Sequence, residues 1–304
     1  MTISSELFKK KLKTRLKKHT LRKIPKIIKP EKIYIEYFKK IKKIVTNIKV
    51  ATEKELIEKL PALLEQYQRD IKIDSQKIYS LAKLDGYSEF IKEIFENLRF
   101  EVGVGTGATD ETLIGITNST AKNISSFHKK QFNKVFKTVL GVSPTLTEKW
   151  LEPKIESFIE RNIALIESIP EEYFSKLETT IRQGVESGKT TKELKEEIQK
   201  AINNKLFDRA QLIARDQTNK FFGNLNELRQ KEAGVSKYKW RTSKELSVRG
   251  RPDGLYPNAD PSHWEREGVT FSWDDPPEDG HPGFACNCNC YAEPVLDEFI
   301  IPFA

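Results

Sequence analysis

Cysteine is scarce in this 304-residue chain, and Cys286, Cys288 and Cys290 all lie within five residues. A secreted scaffold held by disulfides would spread an even number of cysteines along the chain, so that class of protein is excluded. Long apolar runs are also missing, since no stretch approaches the roughly 18 residues that a membrane-spanning helix requires. Residues 1–18 lack the apolar core and cleavage site of a secretory signal. We therefore expect synthesis and folding in a cytoplasm.

Acidic residues are few at the N-terminal end, where basic residues are concentrated. Residues 1–50 hold 17 Lys and Arg against three Glu, a net charge of +14, whereas the whole chain carries +8. A basic arm of this kind can bind nucleic acid, an anionic membrane or an acidic protein surface, and a solvated helix face is the alternative. The residues that we expect to contact DNA phosphates are Lys9, Lys10, Lys11, Lys13, Arg15, Lys17, Lys18, Arg22 and Lys23.

Hydrophobic residues recur at helical spacing through most of the chain, which predicts a mainly α-helical protein. Pro25 and Pro30 interrupt the basic stretch, so we expect a broken arm rather than one long helix. Helices are predicted at residues 119–140 and at 147–184, the second with a break at 168–170. A capping box at Thr190 and Glu193 predicts a helix to about Asn203. The next helix is the best defined, and Gly234 suits its C-terminal end.

After Gly234 the pattern changes to short runs rich in aromatic and β-branched residues, separated by loops rich in Pro, Gly and Asp. Three strands are predicted, at residues 237–242, 269–273 and 291–296. The predicted fold class is therefore mainly α with a small C-terminal α+β domain, in which a long helix precedes a short-stranded β unit. The predicted divisions are a basic arm (1–50), a helical region (51–189), a C-terminal domain (190–297) and a tail (298–304).

The soft metal ligands of the chain are concentrated in the C-terminal domain, and they are His263, His281, Cys286, Cys288 and Cys290. Thiolate and imidazole groups suit a structural zinc ion, but the Cys-x-Cys spacing is not that of a usual zinc knuckle. The alternative is free thiols that pack among the strands. A metal-dependent enzyme that acts on nucleic acid is a further alternative, although the cysteines lack the P-C-x-x-C spacing of zinc deaminases.

Aromatic residues are a second concentration in this domain: Trp240, Trp264, Trp273 and Phe271. Such side chains can stack on the bases of single-stranded nucleic acid. They also bury a large area each, and we expect them to form the core of the small β unit.

A series of short motifs occurs in a fixed order between about residues 190 and 297. In sequence order they are Arg209-Ala210, Ile213-Ala214-Arg215, Lys239-Trp240-Arg241-Thr242, Val248-Arg249, Pro261-Ser262-His263, Phe271-Ser272-Trp273-Asp274, Gly280-His281-Pro282-Gly283 and Cys288-Asn289-Cys290-Tyr291. This ordered set resembles the C-terminal domain of the phage Mu protein F-like head morphogenesis proteins. The resemblance assigns structural roles to Arg215, Trp240, Arg249, Phe271, Trp273 and Pro282.

The resemblance implies a minor component of a tailed-phage head, present in few copies at the portal vertex of the virion and made in the host cytoplasm. Such a protein takes part in head assembly, genome packaging or DNA delivery. The implied partners are the portal protein, a major capsid or scaffold protein, and double-stranded DNA bound without sequence preference. Contact of the basic arm with an anionic membrane is a third alternative.

The resemblance implies no catalytic reaction, so no catalytic residue is predicted. Where the family carries a glutamate and an arginine, this chain has Gln217 and Asn289. An amide cannot act as a general base, which favours a structural domain over an enzyme.

Overall fold

A computed structural model describes residues 23–58, 65, 91–100, 110–187, 189–203 and 206–299. The helices are α1 (Glu31–Thr52), α2 (Asp110–Leu140), α3 (Leu151–Glu186), α4 (Thr191–Asn203) and α5 (Leu206–Glu232), with a π-helical turn at Glu53–Glu58 and a further helical segment at 91–100. The strands are β1 (Lys237–Arg241), β2 (Thr270–Ser272) and β3 (Tyr291–Pro294), followed by a 3-10 turn at Asp297–Phe299. The predicted fold class is confirmed.

Helix α1 begins directly after Pro30, and residues 23–30 have no regular secondary structure. The interruption by prolines is therefore confirmed for the described part of the basic stretch. The buried residues of α1 recur at helical spacing and are Tyr37, Ile41, Ile44, Val45, Ile48 and Thr52. Helix α1 thus has one apolar face and one charged face, as expected of a helix at a surface.

Helix α3 runs without a break through Pro170, so the predicted interruption at residues 168–170 is wrong. Proline in a helix removes one backbone donor and costs about 3 kcal/mol. On the two sides of Pro170, however, Ile166, Ile169, Tyr173 and Phe174 are all buried. Burial of four large apolar side chains, each contributing about 1.5–3 kcal/mol, outweighs the loss of one hydrogen bond.

Two local predictions about helix ends are confirmed. At the start of α4, the Thr190 backbone N–H donates to Glu193 Oε2 at 2.8 Å, and the Glu193 N–H donates to Thr190 Oγ1 at 3.3 Å. This is a reciprocal capping box. At the end of α5, Gly234 has a φ of +84°, and the Val235 N–H donates to the Gln230 carbonyl. Glycine adopts this left-handed conformation without the penalty that a Cβ imposes.

The chain divides into two compact units. One contains Met1–Ile35, Asn118–Ile159 and Arg215–Ala304, and the other contains Glu36–Thr117 and Glu160–Ala214. The second unit has a helical core, with buried residues such as Ile41, Phe95 and Leu177. The four-part division of the chain stays a prediction. Within the described ranges, no helix is long and apolar enough to cross a membrane.

The sheet lies in the first unit and is antiparallel, with the order β2-β1-β3. Tyr238 pairs with Phe271 across one neighbour, and Trp240 pairs with Ala292 across the other. The three predicted strands are confirmed, each within a few residues of its predicted ends. The buried cluster on this sheet contains Tyr238, Trp240, Trp273, Cys288, Cys290 and Ala292, with Phe271 and Ala285 packed against it.

The aromatic residues of the β unit have different environments. Trp240 and Trp273 are in the core, as predicted, and Phe271 packs against them. Trp264 lies outside that cluster, because it is half-buried in a loop with the Arg251 guanidinium 5.2 Å from its ring centroid. The expectation that all these aromatics form the core is therefore wrong for Trp264.

The loop that precedes the cysteines is held close to helix α5. A Cβ atom on Gly223 would lie 2.8 Å from the carbonyl oxygen of Pro282, and one on Gly283 would lie 3.1 Å from the carbonyl oxygen of Asn219. Gly283 also has a φ of +92°. The two glycines allow backbone to approach backbone, which places the following cysteine segment against the sheet.

Candidate metal centre

Three of the five predicted metal ligands come together in the interior. His263 Nδ1 lies 3.5 Å from Cys288 Sγ and 3.7 Å from Cys290 Sγ. The three side chains are buried, and their ligand atoms all lie within 4.8 Å of one another. His263 follows a loop after β1, whereas the two cysteines directly precede β3. The fold thus assembles a cluster of one imidazole and two sulfur atoms from segments 25 and 27 residues apart.

The other ring nitrogen of His263 is held by a carboxylate. Nε2 lies 2.6 Å from Asp279 Oδ2, and the second oxygen of Asp279 forms an ion pair with Arg266. Arg249 lies near the same carboxylate, at 3.5 Å. Because an ionised carboxylate only accepts hydrogen bonds, the Nε2 proton belongs to His263, and Nδ1 presents its lone pair to the sulfur atoms. The sequence does not identify Asp279 as this partner, since its Pro-rich surroundings predict a solvated turn.

The electrostatics of the cluster favour one thiolate. A hydrogen bond from Cys290, opposed by burial, lowers the pKa of Cys288 well below its usual value, and His263 adds to the effect. The same hydrogen bond keeps the proton on Cys290 and raises the pKa of its thiol. Burial alone would lower the pKa of His263, but Cys288 and Asp279 outweigh burial and raise it. Cys288 and His263 therefore stabilise each other's charged forms.

Cys286 and His281 are not part of this cluster. Cys286 is exposed, although it lines a cavity of about 330 Å³ beside the cluster. His281 is buried elsewhere, where its Nδ1 lies 2.9 Å from the Tyr238 hydroxyl and its ring packs edge-on against Trp273. Burial lowers the pKa of His281, which is consistent with a neutral ring in an aromatic core.

Helix α5 fixes the position of the cysteine segment through Asp216. The buried carboxylate of Asp216 accepts a 2.7 Å hydrogen bond from the Asn287 backbone N–H. It also pairs with Lys220 at 2.8 Å and accepts from the Gln217 amide at 2.8 Å. Gln217 and Asp216 thus hold a loop in place. The sequence does not show this role, because the two partners are 71 residues apart.

Several residues to which the resemblance assigns structural roles form ion pairs, hydrogen bonds or close packing contacts within the fold. Arg215 pairs with Glu245 at 2.6 Å, and Asn289 donates to the same carboxylate. Arg249 donates to the Asp260 carbonyl at 2.8 Å. Pro282 is buried beside helix α5. The Arg215 and Pro282 contacts tie loops of the β unit to helix α5, whereas the Arg249 contact lies within the loop between β1 and β2.

A second buried polar cluster contains no cysteine. Arg229 has no exposed surface, and its guanidinium pairs with Glu148 at 2.6 Å, donates to Ser125 and lies 2.9 Å from His128 Nδ1. Burial and the charge of Arg229 lower the pKa of His128 well below its usual value. The neutral ring can accept from Arg229 and donate to Asn226 Oδ1 at 3.2 Å.

Lys29 reaches this region from the N-terminal segment. Its ammonium group donates to the Cys290 carbonyl at 2.8 Å and lies 5.1 Å from the Phe222 ring centroid. Burial lowers the pKa of Lys29 to about 8, against the opposing effect of the two cysteines. The contacts of Lys29, unlike those expected of the other lysines in the basic stretch, are therefore within the protein rather than with a partner.

The predicted DNA contacts lie mostly outside the described residues, which begin at residue 23. Lys23 is described and exposed. Exposed lysines continue along the outer face of α1, at Lys32, Lys39 and Lys43. Their spacing of seven and four residues places them in one stripe, because a helix turns through 3.6 residues. Glu36 is also exposed on this stripe, but the three lysines outnumber it, and the net charge of the stripe is positive.

Comparison with known proteins finds a family match in the C-terminal part of the chain and one similar protein of longer length. Residues 175–293 match the family described as "Phage Mu protein F like protein". A protein of Haemophilus influenzae, described as uncharacterized, is 34% identical over 175 residues, which cover 57% of this chain and 35% of that protein. The chain thus spans about a third of the length of this curated relative. No solved structure matches the chain.

Proposed function

We propose, from the membership of this chain in the phage Mu protein F-like family through residues 175–293, that the protein is a minor structural component of a tailed-phage head. In this proposal it associates with the portal vertex and acts in head assembly, genome packaging or DNA delivery. The family match is the observation that carries the proposal. Portal protein, a capsid or scaffold protein and double-stranded DNA are the proposed partners.

The charge distribution supports a role beside packed DNA. Residues 23–50 contain nine Lys and two Glu, and the exposed stripe of Lys32, Lys39 and Lys43 lies opposite the buried face of α1. Lysines that neutralise phosphates release counterions, which gives affinity without base readout. We therefore propose that the N-terminal 50 residues bind double-stranded DNA without sequence preference.

The structure dictates how this DNA contact should be tested. A truncation at residue 51 would remove α1 and with it Tyr37, Ile41 and Val45 from a core. Loss of binding by such a truncation could then reflect unfolding. Substitution of exposed lysines leaves the buried face intact and separates charge from folding.

The DNA experiment compares two triple variants of the full chain. Lys32, Lys39 and Lys43 are changed to Gln in one, and the exposed Lys130, Lys134 and Lys137 of α2 are changed to Gln in the matched control. In filter binding, the first variant should lose affinity and lower the salt slope by about 3, at about 0.9 for each phosphate contact. Equal losses in both variants would reject a specific DNA face on α1. Binding to anionic vesicles but not to DNA would favour the membrane alternative.

Features of the C-terminal domain support a structural role over catalysis. The cavity beside Cys288 is lined by Ser243, Ser247, Val248, Arg249, Tyr256, Ala259, His263 and residues 286–290, none of which is a carboxylate. Gln217 and Asp216 are bound to each other and hold the cysteine segment. A metal-dependent enzyme that acts on nucleic acid is the alternative function, and it needs a base to activate water.

The head function is tested by deleting the gene from the phage genome and examining the particles that form. Under the proposal, the null phage makes empty, misassembled or non-infectious heads, and the wild-type chain supplied in trans restores them. Normal heads with normal infectivity in the absence of the protein would reject the proposal. Normal heads with a defect only in host nucleic-acid metabolism would favour the enzyme.

A further inference from the structure

The two nitrogen-to-sulfur distances within the His263, Cys288 and Cys290 cluster match those of a tetrahedral metal site. With Zn–S near 2.3 Å and Zn–N near 2.0 Å, a regular tetrahedron has N···S edges of about 3.6 Å. The observed separations of His263 Nδ1 from the two sulfur atoms are 3.5 and 3.7 Å. The space that these three ligand atoms surround is therefore of the size that one zinc ion fills.

The surroundings orient the cluster as a ligand set. Asp279 accepts from Nε2 of His263 at 2.6 Å, which turns the Nδ1 lone pair toward the sulfur atoms. A carboxylate behind a histidine in this way is the usual outer partner of a metal-bound imidazole. Asp279 is itself fixed by Arg266, so the ring has little freedom to turn away.

A buried donor next to the sulfur atoms points in the same direction. Among the described residues, the indole N–H of Trp240 has no hydrogen-bond partner, although the atom is buried. Trp240 packs in the same buried cluster as Cys288 and Cys290. A sulfur atom that carries the negative charge of a metal-bound thiolate is a far better acceptor for this N–H than a neutral thiol.

His263, Cys288 and Cys290 all line a cavity of about 330 Å³, which leaves room for a fourth ligand beside the cluster. In the described part of the chain, Ser243 Oγ and Asn287 Oδ1 are buried without hydrogen-bond partners, and both residues line this cavity. A water molecule in the cavity can bind the ion and bond to such oxygen atoms. Cys286 lines the cavity too, but it is exposed and outside the cluster.

We propose that the protein binds one Zn²⁺ ion through His263 Nδ1, Cys288 Sγ and Cys290 Sγ, with water as the fourth ligand. Two thiolates and a neutral imidazole match both the softness and the charge of Zn²⁺. The ion ties the loop that carries His263 to the segment before β3. A β unit with three short strands has a small core, and such units commonly depend on a metal or a disulfide for stability. This site is independent of the proposed function in virion heads.

The metal content of the full chain tests the proposal. The protein is expressed in zinc-supplemented medium, purified without chelator, and analysed by inductively coupled plasma mass spectrometry. The wild-type chain should carry about one zinc per chain, and His263→Ala, Cys288→Ser and Cys290→Ser should each carry much less. Cys286→Ser is the matched control, because it removes a thiol two residues from a ligand, and it should keep the metal.

Replacement of zinc by Co²⁺ keeps the test informative if the ligand variants fail to fold. Wild-type protein with Co²⁺ should show thiolate-to-metal charge transfer in the near ultraviolet and intense visible bands of a tetrahedral ion. A wild-type protein with neither bound zinc nor these bands would overturn the proposal. Loss of metal in Cys286→Ser would also overturn the assigned ligand set, as would retention in all three ligand variants.

Two other states of the cysteines give distinct results. A Cys288–Cys290 disulfide would lower the mass of the intact chain by about two hydrogen atoms and block alkylation. A reactive Cys288 paired with His263 would be alkylated rapidly in metal-free protein and would not be protected by added Zn²⁺. Either result contradicts the metal site, whereas protection of both thiols by added Zn²⁺ supports it.

Discussion

Helix α1 exposes its charged side chains to solvent, whereas the C-terminal module, residues 215–299, buries several polar and charged side chains. On α1, Lys32, Lys39 and Lys43 are exposed and the buried face is apolar. In the C-terminal module, His263, Cys288 and Arg229 are buried and each is held by other polar groups. The effect of exposed charges depends on their number and spacing, so the substitution of one of them should change stability little. Buried polar groups depend on correctly placed hydrogen-bond partners, so the loss of any one partner should destabilise the fold.

The largest effect is predicted for Trp240, a residue of β1 that is fully buried in one cluster with Cys288 and Cys290. Trp240→Ala should lower the free energy of unfolding by about 3–5 kcal/mol, because a large aromatic leaves a cavity in a small core. Urea denaturation followed by near-ultraviolet circular dichroism measures this. Trp264→Ala is the control, and the half-buried Trp264 should cost about 1 kcal/mol or less. Equal effects would contradict the assignment of the core.

A second large effect is predicted for Arg229, whose side chain has no exposed surface. Arg229→Met removes the buried guanidinium that contacts Glu148 and His128 and should cost about 3 kcal/mol, as for the loss of one member of a buried ion pair. Lys39→Met is the control on the exposed face of α1 and should change stability by about 0.5 kcal/mol or less. Thermal and urea unfolding of the two variants give the comparison. A small loss of stability in Arg229→Met would show that folding does not depend on the buried charge cluster.

A smaller effect is predicted for Asp279, the carboxylate that orients His263. If the cluster binds zinc, Asp279→Asn should weaken zinc affinity by about 10- to 100-fold, the usual effect of losing an outer partner of a metal-bound histidine. Competition with a fluorescent zinc chelator measures the affinity. Glu278→Gln changes the exposed neighbouring carboxylate and should leave the affinity unchanged. An unaltered affinity in Asp279→Asn would mean that Asp279 serves the fold alone.

The smallest effect on stability is predicted for the exposed face of α1. Changing Lys32, Lys39 and Lys43 to Gln should alter the free energy of unfolding by about 0.5 kcal/mol or less, because exposed charges contribute little to folding. The same variant should lose DNA affinity under the proposed function. Circular dichroism melts and filter binding on one preparation check both statements. A large loss of stability would show that these lysines have structural partners.

Features that depend on neighbours in the sequence could be predicted from the sequence. The capping box of Thr190 and Glu193, the C-terminal glycine Gly234 and the three strands are local, and the structure confirms them. At Pro170 the local rule for proline predicts a break, but the helix continues because apolar residues on both sides of it are buried. The tertiary environment decides such cases.

The candidate site could be predicted only in part. The composition of the cysteine segment indicates soft ligands, but the choice of His263 over His281 depends on how two loops pass each other. Asp279 and Asp216 act across 16 and 71 residues, and nothing in their local sequence indicates a partner. Arg229 and Glu148 pair across 81 residues in the same way. Long-range pairing of polar groups is the information that a sequence pattern lacks.

The most direct test of a head protein is its presence and copy number in purified DNA-filled heads. Heads from a null phage complemented with the wild-type chain would be analysed by quantitative mass spectrometry against the portal and major capsid proteins. The proposed function predicts the full chain in few copies per head, far below the major capsid protein, and normal incorporation of the triple-lysine variant. Complete, infectious heads that contain none of the protein would contradict the account.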